Sequence, residues 1–208
     1  MNSKTVIPIG RQFGSGGKEI GEKLAKELGI KCYDKELLAV AAKESGLCKE
    51  LFENHDEKPT NSFLYSLVMD TYSLGYTSSY SDMPINHKVF LAQFDAIKKL
   101  AERESCVIIG RCADYALEDN PYAMSIYIKA DMDKRVKRIM TKYQLNESKA
   151  SDMIQKEDKR RASYYNYYSS KKWGDAKSYD LCLDSGKLGV EGSIELIKDF
   201  IALREKNF

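Results

Sequence analysis

The chain has 208 residues, 43% of them hydrophobic, and its 33 Lys and Arg against 31 Asp and Glu leave a formal net charge of +2. That length supports one domain with a substantial core, and the apolar content excludes a disordered chain. The charge balance excludes a general electrostatic field for nucleic acid or for an anionic membrane, so anion binding has to come from local clusters.

No apolar run approaches a membrane span and no signal-peptide core precedes the first strand, which makes the cytoplasm the expected location. Small molecules, not nucleic acid or membrane, are the expected partners. The five cysteines (Cys32, Cys48, Cys106, Cys112 and Cys182) are scattered, with no C-x-x-C pair, and read as reduced thiols. Cys106 and Cys182 fall in apolar stretches and are expected as small core side chains. His55 and His87 lack a Cys or His neighbour at a ligand spacing, so both are expected to face solvent and no metal-ligating set is assigned.

The first predicted strand is Val6-Ile7-Pro8-Ile9. The run Gly14-Ser15-Gly16-Gly17-Lys18 follows, then a helical pattern from Glu19 in which Ile20, Leu24, Ala25 and Leu28 form an apolar stripe and Gly29 stands as C-terminal cap. Strand, glycine loop and helix in this order suit an anion: glycines accept positive φ, successive N–H groups turn toward one point, and the helix adds its positive end. Lys18 supplies a mobile charge for the outer phosphates. The pattern G-x-x-x-x-G-K-[ST] is met in part, with Gln12 at the first glycine place and Glu19 at the hydroxyl place. A plain strand-to-helix turn is the other reading of these residues taken alone.

Four more apolar runs, at 31–33, 106–109, 124–128 and 180–183, alternate with helical patterns. The alternation predicts an α/β domain: a parallel five-stranded sheet with helices on both faces and ligands at the carboxyl ends of the strands. The glycine loop, Asp34, Gly110-Arg111 and Asp184-Ser185-Gly186 all fall at those ends. Two segments stand outside this layer. Residues 55–82 are polar and rich in Ser and Tyr, with a short helical pattern over 63–69, and read as an inserted flap that extends as a subregion to about residue 92. Residues 142–178 are charged and then aromatic (Tyr164-Tyr165-Asn166-Tyr167-Tyr168, later Trp173) and read as a helical lid, its tyrosines mostly a packing surface. Residues 1–208 are thus expected to form a single domain carrying flap and lid.

Several stretches, taken in order, carry a family pattern: Gly14 to Lys18, Tyr33-Asp34, Val107-Ile108-Ile109-Gly110-Arg111, Asp158-Lys159-Arg160-Arg161, and Leu181-Cys182-Leu183-Asp184-Ser185 followed by Leu188. Together they resemble the nucleoside monophosphate kinases, and most closely the cytidylate kinase-like branch, over nearly the whole chain except the flap. The resemblance implies a P-loop kinase-type domain that uses ATP and Mg²⁺ to phosphorylate a small acceptor. It implies catalytic roles for Lys18, Arg111 and Arg161. Gly14, Ser15, Gly16, Gly17, Lys18, Glu19, Arg138 and Ser185 fall to the ATP side, and Asp34, Gln93, Gly110, Arg111 and Asp158 to the acceptor side. These residue types suit the chemistry, because moving a γ-phosphoryl group asks the protein to align two substrates and stabilise charge on the transferring oxygens. Arg135 and Arg138 have two readings, as flanks of the donor or as a solvated helix face paired with Asp131 and Asp133.

The sequence departs from the cytidylate kinase pattern at several charges. Val40, Phe94 and Ile154 stand where arginines are expected, Cys112 where an aspartate follows Gly-Arg, and Glu19 where a hydroxyl touches magnesium. Lys35, Lys43 and the flap are the candidates to replace the lost contacts. Three functions stay open: a nucleoside monophosphate kinase with weak activity on CMP, a kinase for another small metabolite, and a nucleotide-binding or regulatory module without turnover.

Overall fold

The computed structural model describes residues 4–34, Leu37, Ala39, Lys43, Glu57 and residues 84–207. His55, Lys35, Val40, the pattern over 63–69 and most of the expected flap lie outside them. In chain order the elements are β1 (Val6–Arg11), α1 (Gly17–Leu28), β2 (Lys31–Tyr33), α2 (Ile85–Arg103), β3 (Cys106–Ile109), α3 (Ala113–Ala116), β4 (Ile126–Lys129), α4 (Met132–Tyr143), α5 (Glu147–Ser169), β5 (Leu181–Asp184) and α6 (Ser185–Asn207). The five strands form one sheet in the order β2-β3-β1-β4-β5. All pairings are parallel, as the alternation of strand and helix requires.

Period-two alternation splits the sheet's side chains between two layers. Ile7, Ile9, Val107, Ile109, Ile126 and Ile128 point to one face, where they meet Ile20 and Leu24 of α1 and Ile194, Ile197 and Ile201 of α6. Val6, Cys106 and Ile108 point to the other, against Val89, Ile97 and Leu100 of α2. Both faces being covered, the strands are near-continuous apolar runs. Full burial of Ile20 and Leu24 stabilises the α1 docking by about 1.5–3 kcal/mol each.

Helix α1 begins two residues before the predicted Glu19, because Gly16 in the left-handed region serves as its N-cap. It ends where expected. Gly29 adopts φ 68°, and the bonds Ile30 N–H to Ala25 O (2.9 Å) and Gly29 N–H to Lys26 O (3.2 Å) close the last turn. Helix α2 starts at Ile85 and places Val89 and Phe90 in the core, so residues 85–92 of the expected flap are a packed helix.

The aromatic run forms a second, smaller core. Phe90 of α2 stacks on Tyr168 of α5 at 4.0 Å between ring centroids, and Tyr164, Tyr165, Tyr127 and Tyr179 complete the cluster. Helix α5 also leans on α4, with Val136 and Ile139 meeting Ala150 and Ile154. Two small expectations are corrected. His87 is buried, not solvent-facing, because its ring stacks on Tyr167 within this cluster. Cys182 is exposed on β5, while Cys106 is fully buried, because β5 is an edge strand and β3 is interior. No helix among the described residues is long and apolar enough to cross a membrane.

Candidate active site

The chain leaves β1 through Arg11 and turns into α1 over the glycine loop. Gly14 and Gly16 both sit at φ 82°, a conformation that costs a side chain about 1 kcal/mol or more and leaves glycine unstrained. The loop is fastened from below. Gln12 N–H donates to Ile128 O (3.0 Å), Gln12 Oε1 accepts from Ala130 N–H (3.0 Å), and the Ser185 hydroxyl lies 2.6 Å from Ser15 O and 3.0 Å from Lys129 O. Ser185 therefore meets the loop's backbone from beneath. The Ser15 side chain turns inward, donating to Gln12 O at 2.9 Å and accepting from Gly17 N–H at 3.3 Å.

Helices α5 and α4 grip the loop from the other side. Asp158 accepts from Phe13 N–H at 2.7 Å and pairs with Arg135 at 2.5 Å, while Arg135 also reaches Phe13 O at 3.3 Å. Arg138 pairs with Glu19, and its guanidinium lies against Gly16, where an added Cβ would come within 3.0 Å. A solvated face paired with Asp131 and Asp133 is thus not what α4 presents. Arg135 is buried on Asp158 of α5, and Arg138 pairs with Glu19 of α1. Glu19 pairs with both Arg138 and Lys23.

Lys18 lies on Asp34 at 2.7 Å and on Glu22 at 3.5 Å. The Asp34 hydrogen bond raises its pKa above the usual lysine value. On the other oxygen of Asp34, Arg111 Nη1 donates at 3.1 Å. Burial alone would raise the Asp34 pKa, but Lys18 and Arg111 outweigh it and hold the carboxylate below its ordinary range. Asp34 is thus the hinge point between the loop and a second cluster.

That second cluster is built from side chains. Glu57 sits buried with its Oε1 3.2 Å from Arg11 Nη1 and its Oε2 3.8 Å from both Arg160 Nη2 and Arg161 Nε. Arg111 N–H lies 3.5 Å from Oε1. Burial pushes against ionisation, yet Arg11, Arg161, Arg111 and Arg160 together hold the Glu57 carboxyl far below the ordinary carboxylate range. Arg161 bears the converse effect: burial and the neighbouring Arg11 lower its pKa to about 10. It also donates to Arg11 O at 3.2 Å and lies over the Phe13 ring at 5.4 Å.

The backbone is shaped to make room for this. Gly110, Arg111 and Cys112 adopt successive positive φ values of 74°, 54° and 54°, and a Cβ at Gly110 would overlap Arg11 Nη1 and come within 2.7 Å of Glu57 Oε1. Two consecutive non-glycine residues in the left-handed region hold about 1–2 kcal/mol each of strain, which tends to concentrate at ligand sites. Beyond the arginines lie Cys112, Asp114, Tyr164, Tyr165 and Trp173, enclosing a cavity of about 20 Å³. Burial raises the Asp114 carboxyl to about 6 despite a 2.6 Å hydrogen bond from Tyr165, and burial holds the Cys112 thiol protonated.

Of the predicted site residues, the structure groups Gly14, Ser15, Gly16, Gly17, Lys18, Glu19, Arg138, Asp158 and Ser185 around the loop, and Asp34, Gly110, Arg111 and Arg161 around the arginine cluster. Gln93 is set apart, buried between α2 and α5 and accepting from Tyr164 at 3.2 Å. Two family arginine places are filled by packing residues: Ile154 is fully buried in the α4–α5 contact, and Phe94 packs on Tyr115. Lys43 is exposed. Arg11, Arg160, Asp114 and Glu57 were not singled out from the sequence. Arg11 closes an apolar strand just before the glycine loop, which is a readable signal, whereas nothing local marks Glu57.

Among the described residues no group of three or more His, Cys, Asp or Glu is placed to hold a metal. Asp34, Asp158, Glu19 and Glu22 beside the loop are each paired with a lysine or arginine, and this donor set fits a magnesium ion carried by nucleotide phosphates rather than a protein-built cage.

A glycine loop between a strand and a helix, at the carboxyl edge of a parallel five-stranded sheet with helices on both faces, defines the P-loop kinase fold. Residues 6–187 match the profile of the cytidylate kinase-like family, and the chain belongs to that family. An uncharacterized protein from Eubacterium ventriosum ATCC 27560 is 33% identical, covers 96% of this chain over 99% of its own, and superposes with a TM-score of 0.71. Shikimate kinases share the fold at low identity. That from Bacteroides thetaiotaomicron is 14% identical with a TM-score of 0.55 over 96% of this chain and 99% of its own. That from Acinetobacter baumannii, solved in complex with shikimate, is 11% identical with a TM-score of 0.50 over 98% and 95%. No curated protein sequence matches the chain significantly.

Proposed function

We propose that the protein transfers the γ-phosphoryl group of ATP to a small anionic acceptor, a nucleoside monophosphate being the favoured class. The observation that carries this reading is the bridge at Asp34, which joins Lys18 of the loop to Arg111 of the arginine cluster and so sets a donor site and an anion site side by side. The N–H groups of the loop and the N-terminus of α1 would hold the donor phosphates. Lys18 and Arg161 would lie on the transferring group from opposite sides, and Arg111 would fix the acceptor's charge. Magnesium bound with the nucleotide would supply charge neutralisation at its phosphates. No general base is needed when the acceptor is itself a phosphate oxygen, which fits the protonated state of Cys112.

A second reading, a kinase for another small metabolite, is favoured by Ile154 and Phe94. Ile154 is buried in the α4–α5 contact and Phe94 packs, partly buried, on Tyr115, so neither place of the family's arginines carries a charge of its own. An ADP-release screen over CMP, dCMP, UMP, AMP and small hydroxy acids and alcohols separates the two. Turnover of a nucleoside monophosphate supports the first reading, turnover of a hydroxy compound alone supports the second, and no ADP release on any acceptor at saturating ATP overturns both in favour of a nucleotide-binding module.

A further inference from the structure

Glu57 fits poorly as a fixed structural counter-ion. Its carboxylate is the common partner of guanidinium groups from two separate elements, Arg11 at the end of β1 and Arg160 and Arg161 on α5, and it lies 3.5 Å from the backbone N–H of Arg111 after β3. Two of its contacts are long, at 3.8 Å, and Arg161 Nε has no hydrogen-bond partner although it is buried. Arg161 is therefore only partly satisfied by Glu57, and its pKa, lowered to about 10 by burial and the neighbouring Arg11, points the same way. Among the described residues the adjoining cavity, about 20 Å³ and lined in part by Glu57, has room for little more than one water.

We propose that Glu57 is an internal ligand of the arginine cluster which the acceptor's anionic group must displace. The inference rests on the kinase reading for what happens after displacement, but not for the exchange itself. A tetrahedral oxyanion with close to two negative charges offers three oxygens to the same guanidinium groups, where Glu57 offers two oxygens and one charge. Phosphoryl-bearing ligands thus compete better than simple carboxylates. Glu57 sets the acceptor's affinity by opposing it, and it keeps the buried arginines neutralised when no acceptor is bound.

The test is calorimetric titration of inorganic phosphate into the full-length protein, first saturated with ADP so that the glycine loop is filled. Trp173, the single tryptophan, lines the cavity and gives a parallel fluorescence signal. Glu57→Gln should bind phosphate at least about tenfold more tightly than the parent, with ADP affinity equal within about twofold. Arg161→Met introduced into Glu57→Gln should abolish the gain, which locates the phosphate at the cluster. If the variant proves unstable, phosphate should raise its melting temperature more than that of the parent, and acetate should do so less than phosphate. Phosphate affinity unchanged or weakened in Glu57→Gln, or acetate binding more tightly than phosphate, overturns the proposal. Failure of ADP to bind would sink the kinase reading and leave the phosphate comparison intact.

Discussion

The glycine loop and the arginine cluster both gather positive potential for anions, but from different material. The loop is backbone: N–H groups and a helix end, arranged by glycines at positive φ within a few consecutive residues. The cluster is side chain: guanidinium groups from β1 and α5, assembled around Glu57 by the tertiary fold. A backbone site carries little desolvation cost when empty, since its donors are half-satisfied by the turn itself. Buried arginines without an anion carry a large one, which accounts for the carboxylate at the centre of the cluster.

The largest expected effect breaks the loop's contribution without breaking the loop. Lys18 is half-exposed, and its ion pairs with Asp34 and Glu22 are of the kind whose loss costs about 1 kcal/mol or less. Lys18→Ala should therefore keep its melting temperature within a few degrees while kcat falls about 10²- to 10³-fold on the best acceptor. Unchanged turnover would end the assignment of Lys18 to the transferring phosphate.

On the cluster side the counterpart is Gly110→Ala. The added Cβ meets Arg11 Nη1 and Glu57 Oε1 and takes a positive φ that alanine disfavours. Stability should drop by about 2–3 kcal/mol, acceptor KM should rise more than tenfold, and ADP affinity should stay nearly constant. If ADP affinity falls as much as acceptor affinity, the two sites are one site and the comparison fails.

The same division explains what could be read in advance. The parallel sheet, its five strands and the loop were legible because they are local: apolar runs, glycines and a capping Gly29 act within a few residues. The end of α1 was legible to the residue, but its start was not, since Gly16 caps from a left-handed conformation that no polar side chain advertises. Arg11 and Glu57 were missed because their meaning depends on contacts 46 or more residues apart in sequence. His87 looked solvent-facing because a lone polar residue gives no sign that a stacked tyrosine will cover it.

A smaller effect, on stability and not on turnover, separates the cluster from the aromatic wall beyond it. Asp114 is buried and its carboxyl raised to about 6, above the ordinary value that it regains on unfolding. Between about pH 4 and 6 the folded state therefore binds more protons, so the stabilising contribution is full below that interval and is lost as pH rises through about 6. Asp114→Asn, which keeps an acceptor for Tyr165, should match the parent near pH 4 and exceed it at pH 7 by on the order of 1–3 kcal/mol. Denaturant melts at both pH values read this directly, and a variant less stable than the parent at pH 7 would show that the ionised carboxylate is held favourably.

The smallest effect concerns Glu19, an acidic side chain in the first turn of α1. Its carboxylate lies on Arg138 and Lys23. If that arrangement holds in the nucleotide complex, Glu19 neither repels phosphate strongly nor binds magnesium, and it tethers an arginine that lies against Gly16. Glu19→Gln removes one charge from that pair while keeping the side chain's length. It should cost under about 1 kcal/mol in stability, because both partners are more than a third exposed. With Arg138 released toward the loop, ADP should bind about two- to fivefold more tightly, with or without magnesium. A loss of more than about tenfold that appears only when magnesium is present would place Glu19 on the metal instead, and the donor side would then owe part of its anion chemistry to a side chain after all.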